Sequence, residues 1–263
     1  MSKKSLSAVV LRYDSVDSTS DEARRLLLGE SPIRSLPFVV WADRQTKGRG
    51  RNRREWWSDE GSLTFTVALD PAEYRIRLEH EPRLSLVAAL AVIDAVEALG
   101  LRISELGVRW PNDVEVGQSK LAGLLPEGVD CPDGRRVLIG IGLNVATRFD
   151  AAPPEIAAMA VSLTSLGLDA NAAGTPARIL ALVLEQLEKL IPRLAIDDPT
   201  LAERWSGINL LGGREVRIDL GTRILKGIVR GIGADGSLLL EPEGGGPAQA
   251  VSGGQVLRDR PSV

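Results

Sequence analysis

The chain has 263 residues, of which 44% are hydrophobic and 25% charged, and its net charge is −3. These values are ordinary for a soluble globular protein with one or two domains, and they argue against binding nucleic acid or membranes through overall charge. The single cysteine, Cys131, excludes internal disulfides, and with the single histidine, His80, it argues against a zinc site. No apolar stretch is long enough for a signal peptide or a membrane span, so we expect a cytoplasmic protein.

The first third of the chain predicts strands and two helices. Its β-rich or alternating segments predict strands at 6–13, 37–42 and 62–69. A helix is expected from Thr19 to about Leu28, with Thr19 and Glu22 forming a capping box. Apolar residues at helical spacing predict a core helix over 82–99. Because His80 lies in a polar stretch just before that helix, we expect a solvated histidine.

A basic loop follows the second strand. Between 44 and 54 it has six basic side chains and no acidic one: Arg44, Lys47, Arg49, Arg51, Arg53 and Arg54. Gly48 and Gly50 let the backbone approach a ligand closely, and guanidinium groups bind carboxylates and phosphates in a bidentate manner. The indoles of Trp56 and Trp57 offer flat faces for a purine. The loop therefore suits a ligand that carries both an anion and a base, such as ATP.

The loop alone leaves other functions open, namely a solvated surface loop or a non-specific nucleic-acid contact. It is not a Walker loop, because no Gly-Lys-Ser/Thr follows, and not a dinucleotide fingerprint, because position 53 is arginine. Since six like charges repel one another, we expect residues 44–58 to be mobile until an anionic ligand binds.

The segment 108–125 predicts two short strands joined by a turn. Pro111 cannot donate to a strand ladder, so it marks an edge or a bulge. Asn112 and Asp113 would project there, with Lys120 returning across the hairpin. A carboxylate and a lysine that face each other on a hairpin usually form only a cross-strand ion pair.

A buried strand is predicted at 137–145, and its glycines at 140 and 142 indicate that another group approaches the backbone closely. Loops and short turns are expected over 150–175, followed by helices over 175–194 and 199–205. The composition changes near Gly207, and short strands then predict a small barrel. We therefore divide the chain into domains at 1–207 and 208–263.

The barrel contains a literal Gly-x-Gly-x-x-Gly from Gly231 to Gly236. A strand follows it instead of a helix, so the sequence predicts a hairpin turn and not a nucleotide site.

Several motifs occur in a specific order and spacing. They are Asp17-Ser-Thr, Gln45-Thr-Lys-Gly-Arg-Gly-Arg51 with Trp56, Arg109-Trp-Pro-Asn-Asp113, Lys120-Leu-Ala-Gly123 and Ile139-Gly-Ile-Gly-Leu-Asn144. With the barrel, they make the chain resemble the biotin protein ligases over nearly its whole length, in the short form without an N-terminal DNA-binding domain. It departs from the family pattern at Arg53, Trp57 and Pro126.

The resemblance implies an α+β fold: a mixed sheet with flanking helices, like the catalytic domain of class II aminoacyl-tRNA synthetases, plus a C-terminal SH3-like β-barrel. It also implies a reaction in two steps. The carboxylate of biotin attacks the α-phosphate of ATP, which gives biotinyl-5′-AMP and pyrophosphate. A lysine of a biotin carboxyl carrier domain then attacks this mixed anhydride.

The roles of individual residues are likewise implied by the resemblance. Catalysis would use Arg49, Arg51, Lys120 and Asp113. The biotin site would comprise Ser18, Thr19, Gln45, Gly48, Arg49, Lys120, Gly123 and Leu125. The ATP site would comprise Arg51, Trp56, Asn112, Lys120 and Asn144. Asp113 would also bind Mg²⁺.

ATP and Mg²⁺ are thus expected as co-substrates and biotin as the substrate, with no tightly bound prosthetic group. We expect no membrane partner and no specific DNA binding; the sequence is compatible with a monomer or a homodimer. Two alternatives remain open. A lipoate or octanoate ligase-like enzyme would have fewer polar groups in its pocket than Ser18, Thr19 and Gln45 provide. A non-enzymatic nucleic-acid-binding module would leave the motifs at 109–113 and 120–123 unexplained.

Overall fold

The computed structural model describes residues 5–6, 9–169 and 175–258, and of Arg53 only the backbone. A mixed seven-stranded sheet has the order β1-β2-β3-β7-β6-β5-β4, in which only β1 and β2 are parallel. Its strands are β1 (Val10–Val16), β2 (Phe38–Gln45), β3 (Ser62–Leu69), β4 (Leu106–Arg109), β5 (Asp113–Val116), β6 (Ser119–Cys131) and β7 (Gly134–Asn144).

Helices cover both faces of this sheet. They are α1 (Thr19–Leu28), α2 (Leu84–Ala98), α3 (Pro154–Ala157), α4 (Pro176–Ala195) and α5 (Pro199–Gly207). Alternation along the strands decides which face each helix covers. Phe65 and Val67 of β3 join the large core with α2 and α4, whereas Ala68 joins a smaller core with Phe38 and Leu27 under α1.

A five-stranded antiparallel sheet follows, in the order β11-β10-β9-β8-β12. Its strands are β8 (Glu215–Asp219), β9 (Ile224–Ile232), β10 (Leu238–Pro242), β11 (Gln249–Val251) and β12 (Gln255–Val256). The predicted α+β class, a mixed sheet with helices and a small C-terminal β domain, is confirmed. Residues such as Ile218 and Leu238 belong to the same apolar core as α2, so the division at 207/208 stays a prediction.

Two local predictions differ from the structure. The first strand begins at Val10 instead of residue 6, and residues 7–8 of that prediction lie outside the described part. The hairpin over 108–125 consists of three strands, because the chain leaves the sheet at residues 110–112 between β4 and β5. The departure at Pro126 does not end β6. Beyond Gly123 this strand is paired with β7 alone and is therefore an edge strand, in which proline is tolerated.

The prediction of a solvated His80 is wrong. A 3₁₀ turn, Leu78–Arg83, precedes α2 and turns the imidazole inward, so that His80 is fully buried. Its Nδ1 accepts from the backbone N–H of Arg77 at 3.3 Å, and its Nε2 lies 3.4 Å from Asp197. Burial, and then the charges of Arg83 and Arg77, lower the pKa of His80. Polar neighbours in the sequence therefore do not establish that a side chain is exposed to solvent.

Among the helices of the described residues, none combines the length and apolar character that crossing a membrane requires.

Candidate active site

A cavity of about 220 Å³ lies over β6 and β7, on the face of the sheet that carries α1. It continues into a wider cleft of about 830 Å³ beside the basic loop. Of the predicted site residues, all but Gly48 and Asn144 line the smaller cavity. Gly48 lines the cleft, and the 3% exposed Asn144 lies behind the cavity wall.

A chain of buried side-chain hydrogen bonds forms the polar floor of the cavity. Both the backbone N–H and the hydroxyl of Thr19 donate to Gln45 Oε1, at 2.8 and 3.1 Å. Thr66 Oγ1 donates to Thr19 Oγ1 at 2.9 Å, and Ser20 Oγ lies 3.1 Å from Thr66 Oγ1. Because Thr66 has one proton and gives it to Thr19, Ser20 must be the donor to Thr66. The floor therefore has a fixed polarity that turns the amide nitrogen of Gln45 away from Thr19.

This network corrects the predicted capping box. The helix α1 begins after Ser18, whose side chain makes no capping hydrogen bond. The Thr19 hydroxyl serves the floor instead of the helix start. The residue that completes the floor, Thr66, is fully buried on β3 and was missed, because a threonine in a strand is ordinary in sequence.

Trp56 lies flat on the sheet where β6 and β7 carry glycine. A Cβ on Gly142 would lie 2.5 Å from Trp56 Cε2, and a Cβ on Gly123 would lie 3.1 Å from Trp56 Cζ3. The close approach predicted from the glycines of β7 is therefore made by Trp56 at Gly142, whereas Gly140 faces Ser20 Oγ. The indole Nε1 is buried without a hydrogen-bond partner among the described residues.

Lys120 Nζ lies 2.7 Å from Asp113 Oδ1 and 5.3 Å from the centroid of the Trp56 ring. A bulge in β6 gives Lys120 this direction. Glu115 pairs with Lys120 and Val114 with Ala122, so Leu121 is an extra residue. In a regular strand, residues 120 and 122 would lie on the same, core-facing side of the sheet. The bulge reverses this, so the Lys120 side chain points toward the cavity.

The basic loop has acidic partners. Arg49 Nη2 lies 2.9 Å from both Asp21 and Glu127, and Glu127 also pairs with Arg24 at 3.4 Å. The acids come from α1 and β6, far away in sequence. Arg49 Nε is buried and has no hydrogen-bond partner in the described part of the chain.

The loop itself is a small hairpin. The backbone N–H of Trp56 donates to Gly48 O at 2.9 Å, and that of Gly50 donates to Arg54 O at 2.8 Å. A Cβ on Gly48 would lie 2.5 Å from Trp56 O, so this glycine is required by the closure of the loop itself. The predicted mobility of 44–58 stays a prediction.

Four further cations line the cavity: Arg51, Arg54, Arg109 and Arg258. Burial lowers the pKa of Arg51, while the charge of Asp113 opposes this shift; burial and then Arg258 lower that of Arg109. Both stay charged at neutral pH, because arginine titrates far above it. Arg258 pairs with the 1% exposed Glu115, whose pKa is raised by burial. Sequence reasoning gave Arg109 and Arg258 no role, since Arg258 reaches the cavity only through the fold of the small domain.

Two asparagines brace β6 around Lys120. Asn112 Nδ2 donates to Leu124 O at 2.8 Å, and Asn144 Nδ2 donates to Lys120 O at 3.2 Å. Asn112 lies at the cavity wall, whereas Asn144 acts on the backbone beneath it.

A magnesium site built from protein alone does not occur in the described part of the chain, where no three His, Cys, Asp or Glu side chains cluster. One carboxylate oxygen of Asp113 forms the ion pair with Lys120, which leaves the other oxygen available to a cation. Mg²⁺ is often bound by one or two carboxylates together with substrate phosphates, so this arrangement fits a metal that arrives with a nucleotide.

Two family models match the chain: "Biotin/lipoate A/B protein ligase family" over residues 14–144, and "Biotin protein ligase C terminal domain" over residues 211–258. The chain is 36% identical over 225 residues to the biotin–[acetyl-CoA-carboxylase] ligase of Mycobacterium tuberculosis, covering 84% of this chain and 79% of the relative. It is 37% identical over 158 residues to the bifunctional ligase/repressor BirA of Bacillus spizizenii, and covers 46%, about half, of that protein's length.

Among solved structures, the biotin protein ligase of Aquifex aeolicus in complex with biotin and ATP is similar. Its TM-score is 0.78 at 28% identity, and the alignment covers 96% of this chain and 100% of that one.

Proposed function

The chain belongs to the biotin/lipoate A/B protein ligase family, and on that premise we infer that it is a biotin protein ligase. It activates biotin with ATP to biotinyl-5′-AMP and transfers the biotinyl group to a carrier protein. The observation that supports this most directly is a single cavity that joins a polar floor to a cationic wall. Thr19 and Gln45 belong to the floor, and Ser18, Lys120 and Arg51 line the cavity around it.

In the first step, a carboxylate oxygen of biotin attacks the α-phosphorus, and the bond to pyrophosphate breaks. Two anions must meet, so fixed positive charge has to offset their repulsion. We assign this to Lys120, Arg49 and Arg51. Lys120 and Arg49 form ion pairs with carboxylates, and they would exchange these partners for the ligand's oxygens. Bound Mg²⁺ would offset further charge on the phosphates, held by Asp113.

In the second step, the ε-amine of the carrier lysine attacks the carbonyl carbon of the mixed anhydride, and AMP leaves. The amine must lose a proton. Asp113 is the carboxylate that lines the cavity beside Lys120, and we assign to it the binding of the acceptor lysine and the uptake of its proton. The acceptor is proposed to be a biotin carboxyl carrier domain of the acetyl-CoA carboxylase type.

The polar floor favours biotin over a purely aliphatic acid. A ureido ring presents donors and an acceptor, which match the hydroxyl and amide groups of Ser18, Thr19 and Gln45. The dithiolane ring of lipoate would offer these polar groups no such donors and acceptors, which costs affinity. Gly48, Gly123 and Leu125 would shape the wall around the ligand, and Trp56, Asn112 and Asn144 would serve the ATP side. The absence of specific DNA binding and a cytoplasmic location stay predictions.

Biotin-dependent ATP–pyrophosphate exchange tests the first step, with Lys120→Ala beside the unchanged protein. We expect exchange with biotin but not with lipoate, and a loss of at least about 100-fold in the variant, because an oxyanion partner is removed. Lys189→Ala is the matched control, since Lys189 is a surface lysine paired with Glu185 on α4. Exchange with lipoate alone, or full activity of Lys120→Ala, would contradict the proposal.

A further inference from the structure

The turn between β9 and β10, residues 233–237, has no place in the chemistry above, although it carries most of the Gly-x-Gly-x-x-Gly sequence. It lies against the larger domain. Trp110 Nε1 donates to Gly236 O at 2.9 Å, and Arg83 Nη1 donates to Ala234 O at 3.1 Å. Trp110 is 2% exposed and Arg83 is 7% exposed, so the donor side chain of each bond is buried, whereas Gly236 is half-buried and Ala234 is exposed. A buried donor that loses its acceptor is costly.

The turn is shaped for this contact. Gly236 has φ +80°, and a Cβ there would lie 2.8 Å from Arg83 Cγ and 3.3 Å from Leu86 Cδ1. Asp235 Oδ1 accepts from the N–H and the hydroxyl of Ser237, at 3.0 and 2.6 Å, which fixes the turn internally. A side chain at 236 would therefore push the turn away from Arg83 and weaken the bond to Trp110.

Trp110 begins the segment that carries Asn112 and Asp113 into the cavity. Each residue is held from a different side. Trp110 bonds to the small domain, Pro111 O accepts from Ser85 Oγ at 3.0 Å, and Asn112 O accepts from the backbone N–H of Leu124 at 2.9 Å. The chain leaves the sheet at residues 110–112 and re-enters it at Asp113, which pairs with Arg109 of β4 and Gly123 of β6. Residues 110–112 are not part of a strand, so these three contacts set their position.

We propose that the turn 233–237 is a positioning element of the active site. By holding Trp110 it fixes the segment 110–112, and so positions Asn112 on the nucleotide side of the reaction, although the turn's own residues do not line the cavity. Gly236 and Trp110 are its positioning residues. This inference rests on the proposed function for the role of Asn112.

Two substitutions test the turn in the full chain. Trp110→Phe keeps the ring and removes the Nε1 donor, and Gly236→Ala displaces the turn. Gly221→Ala is the matched control, because Gly221 has φ +83° in another turn of the small domain and no atom within 4 Å of its added Cβ. It carries the same backbone strain without the contact.

We expect the KM for ATP in biotin-dependent exchange to rise about tenfold in Trp110→Phe and Gly236→Ala, from the loss of the one hydrogen bond that holds the buried Trp110 indole to the turn. Biotin affinity without ATP should stay within about twofold, and Gly221→Ala should match the unchanged protein. The double variant Trp110→Phe/Gly236→Ala should be no worse than the worse single one, because both changes break the same bond.

Unchanged kinetics in Trp110→Phe would overturn the inference. So would a parallel loss of ATP affinity, biotin affinity and melting temperature, since that pattern belongs to a merely structural contact. If the unchanged protein shows no exchange with biotin, the proposed function fails separately. ATP binding measured by calorimetry then decides, and equal affinity in Gly236→Ala and Gly221→Ala would refute the positioning role.

Discussion

Thr66 shows how a residue outside the cavity can set what the cavity recognises. Its hydroxyl accepts a hydrogen bond from Ser20 and donates one to Thr19, which fixes the direction of every hydrogen bond in the floor. We expect Thr66→Val to raise the KM for biotin about tenfold while the KM for ATP stays unchanged, because two buried hydroxyls lose a partner. Thr66→Ser should restore the KM.

Thr64→Val is the control for this measurement. Thr64 lies two residues earlier on β3, is equally buried, and donates to Ala42 O at 3.0 Å instead of to the floor. Equal effects of the two substitutions on the KM for biotin would refute a role specific to Thr66.

At the residue scale, the sequence locates charged residues that the fold brings together, since Lys120, Asp113 and Arg51 line one cavity. The catalytic roles assigned to them stay predictions. It does not predict Thr66 or Arg258, which act through neighbours distant in sequence. The prediction of a solvated His80 fails for the same reason, since the burial of this side chain depends on contacts with Asp197 and Arg77 that no local pattern encodes.

At the scale of elements, periodicity predicts α2, α4 and most strands, because burial of an apolar face repeats along each of them. The bulge at Leu121 is not predicted, since it exists only as a mismatch between β5 and β6. That mismatch turns Lys120 into the cavity. An element can thus be located from sequence while the direction of its most important side chain cannot.

The basic loop offers a prediction at this scale. Arg49 is held by Asp21 and Glu127, but Arg51 has no ion-pair partner within the described residues. We expect trypsin to cut at Arg51 and Arg54 at least about tenfold more slowly once biotin and ATP are bound, because the ligand's anions then order the loop. Glu127→Gln should speed cleavage of the unliganded protein.

Cleavage at Arg148 is the internal reference, because this side chain is 80% exposed and lies outside the cavity. Equal protection at Arg148 and in the loop would indicate general stabilisation, and no protection at all would rule out ligand-induced ordering.

At the scale of the whole molecule, one carboxylate connects the end of α4 to the start of α2 and, through Arg83, to the small domain. Asp197 lies 2.6 Å from Arg77, 2.8 Å from Arg83 and 3.4 Å from His80. The hydrogen bond from Arg77 and then that from Arg83 lower the pKa of Asp197 to about 2. Since the folded pKa lies below the ordinary value, ionised Asp197 stabilises the fold above about pH 4.

This contribution must be lost as pH falls from about 4 to about 2. Asp197→Asn should therefore lower the free energy of unfolding at pH 7 by about 1 kcal/mol or less, because the carboxylate is partly exposed. The difference from the unchanged protein should vanish in acid, as measured by urea unfolding across that range. Asp150→Asn, in the exposed pair with Arg148, should have little effect at either pH; a difference for Asp197→Asn that persisted below pH 2 would contradict this origin.

The architecture as a whole could be predicted in outline, as a mixed sheet with helices and a small β domain. The contacts between the two sheets could not be predicted. Residues of both sheets share one apolar core, and the turn at 233–237 binds Trp110. Such contacts depend on shape across the whole fold, and they leave no period or motif in the sequence.

The pairing of Arg49 with two acids has a consequence for ionic strength. An incoming anion replaces Asp21 and Glu127 instead of meeting a bare charge. Dissolved salt screens the attraction to the ligand, but it also screens the internal contacts that compete with it. The two effects oppose each other. The affinity for an anionic ligand will therefore fall with salt less steeply than six basic side chains suggest, and removing both acids would make the fall steeper.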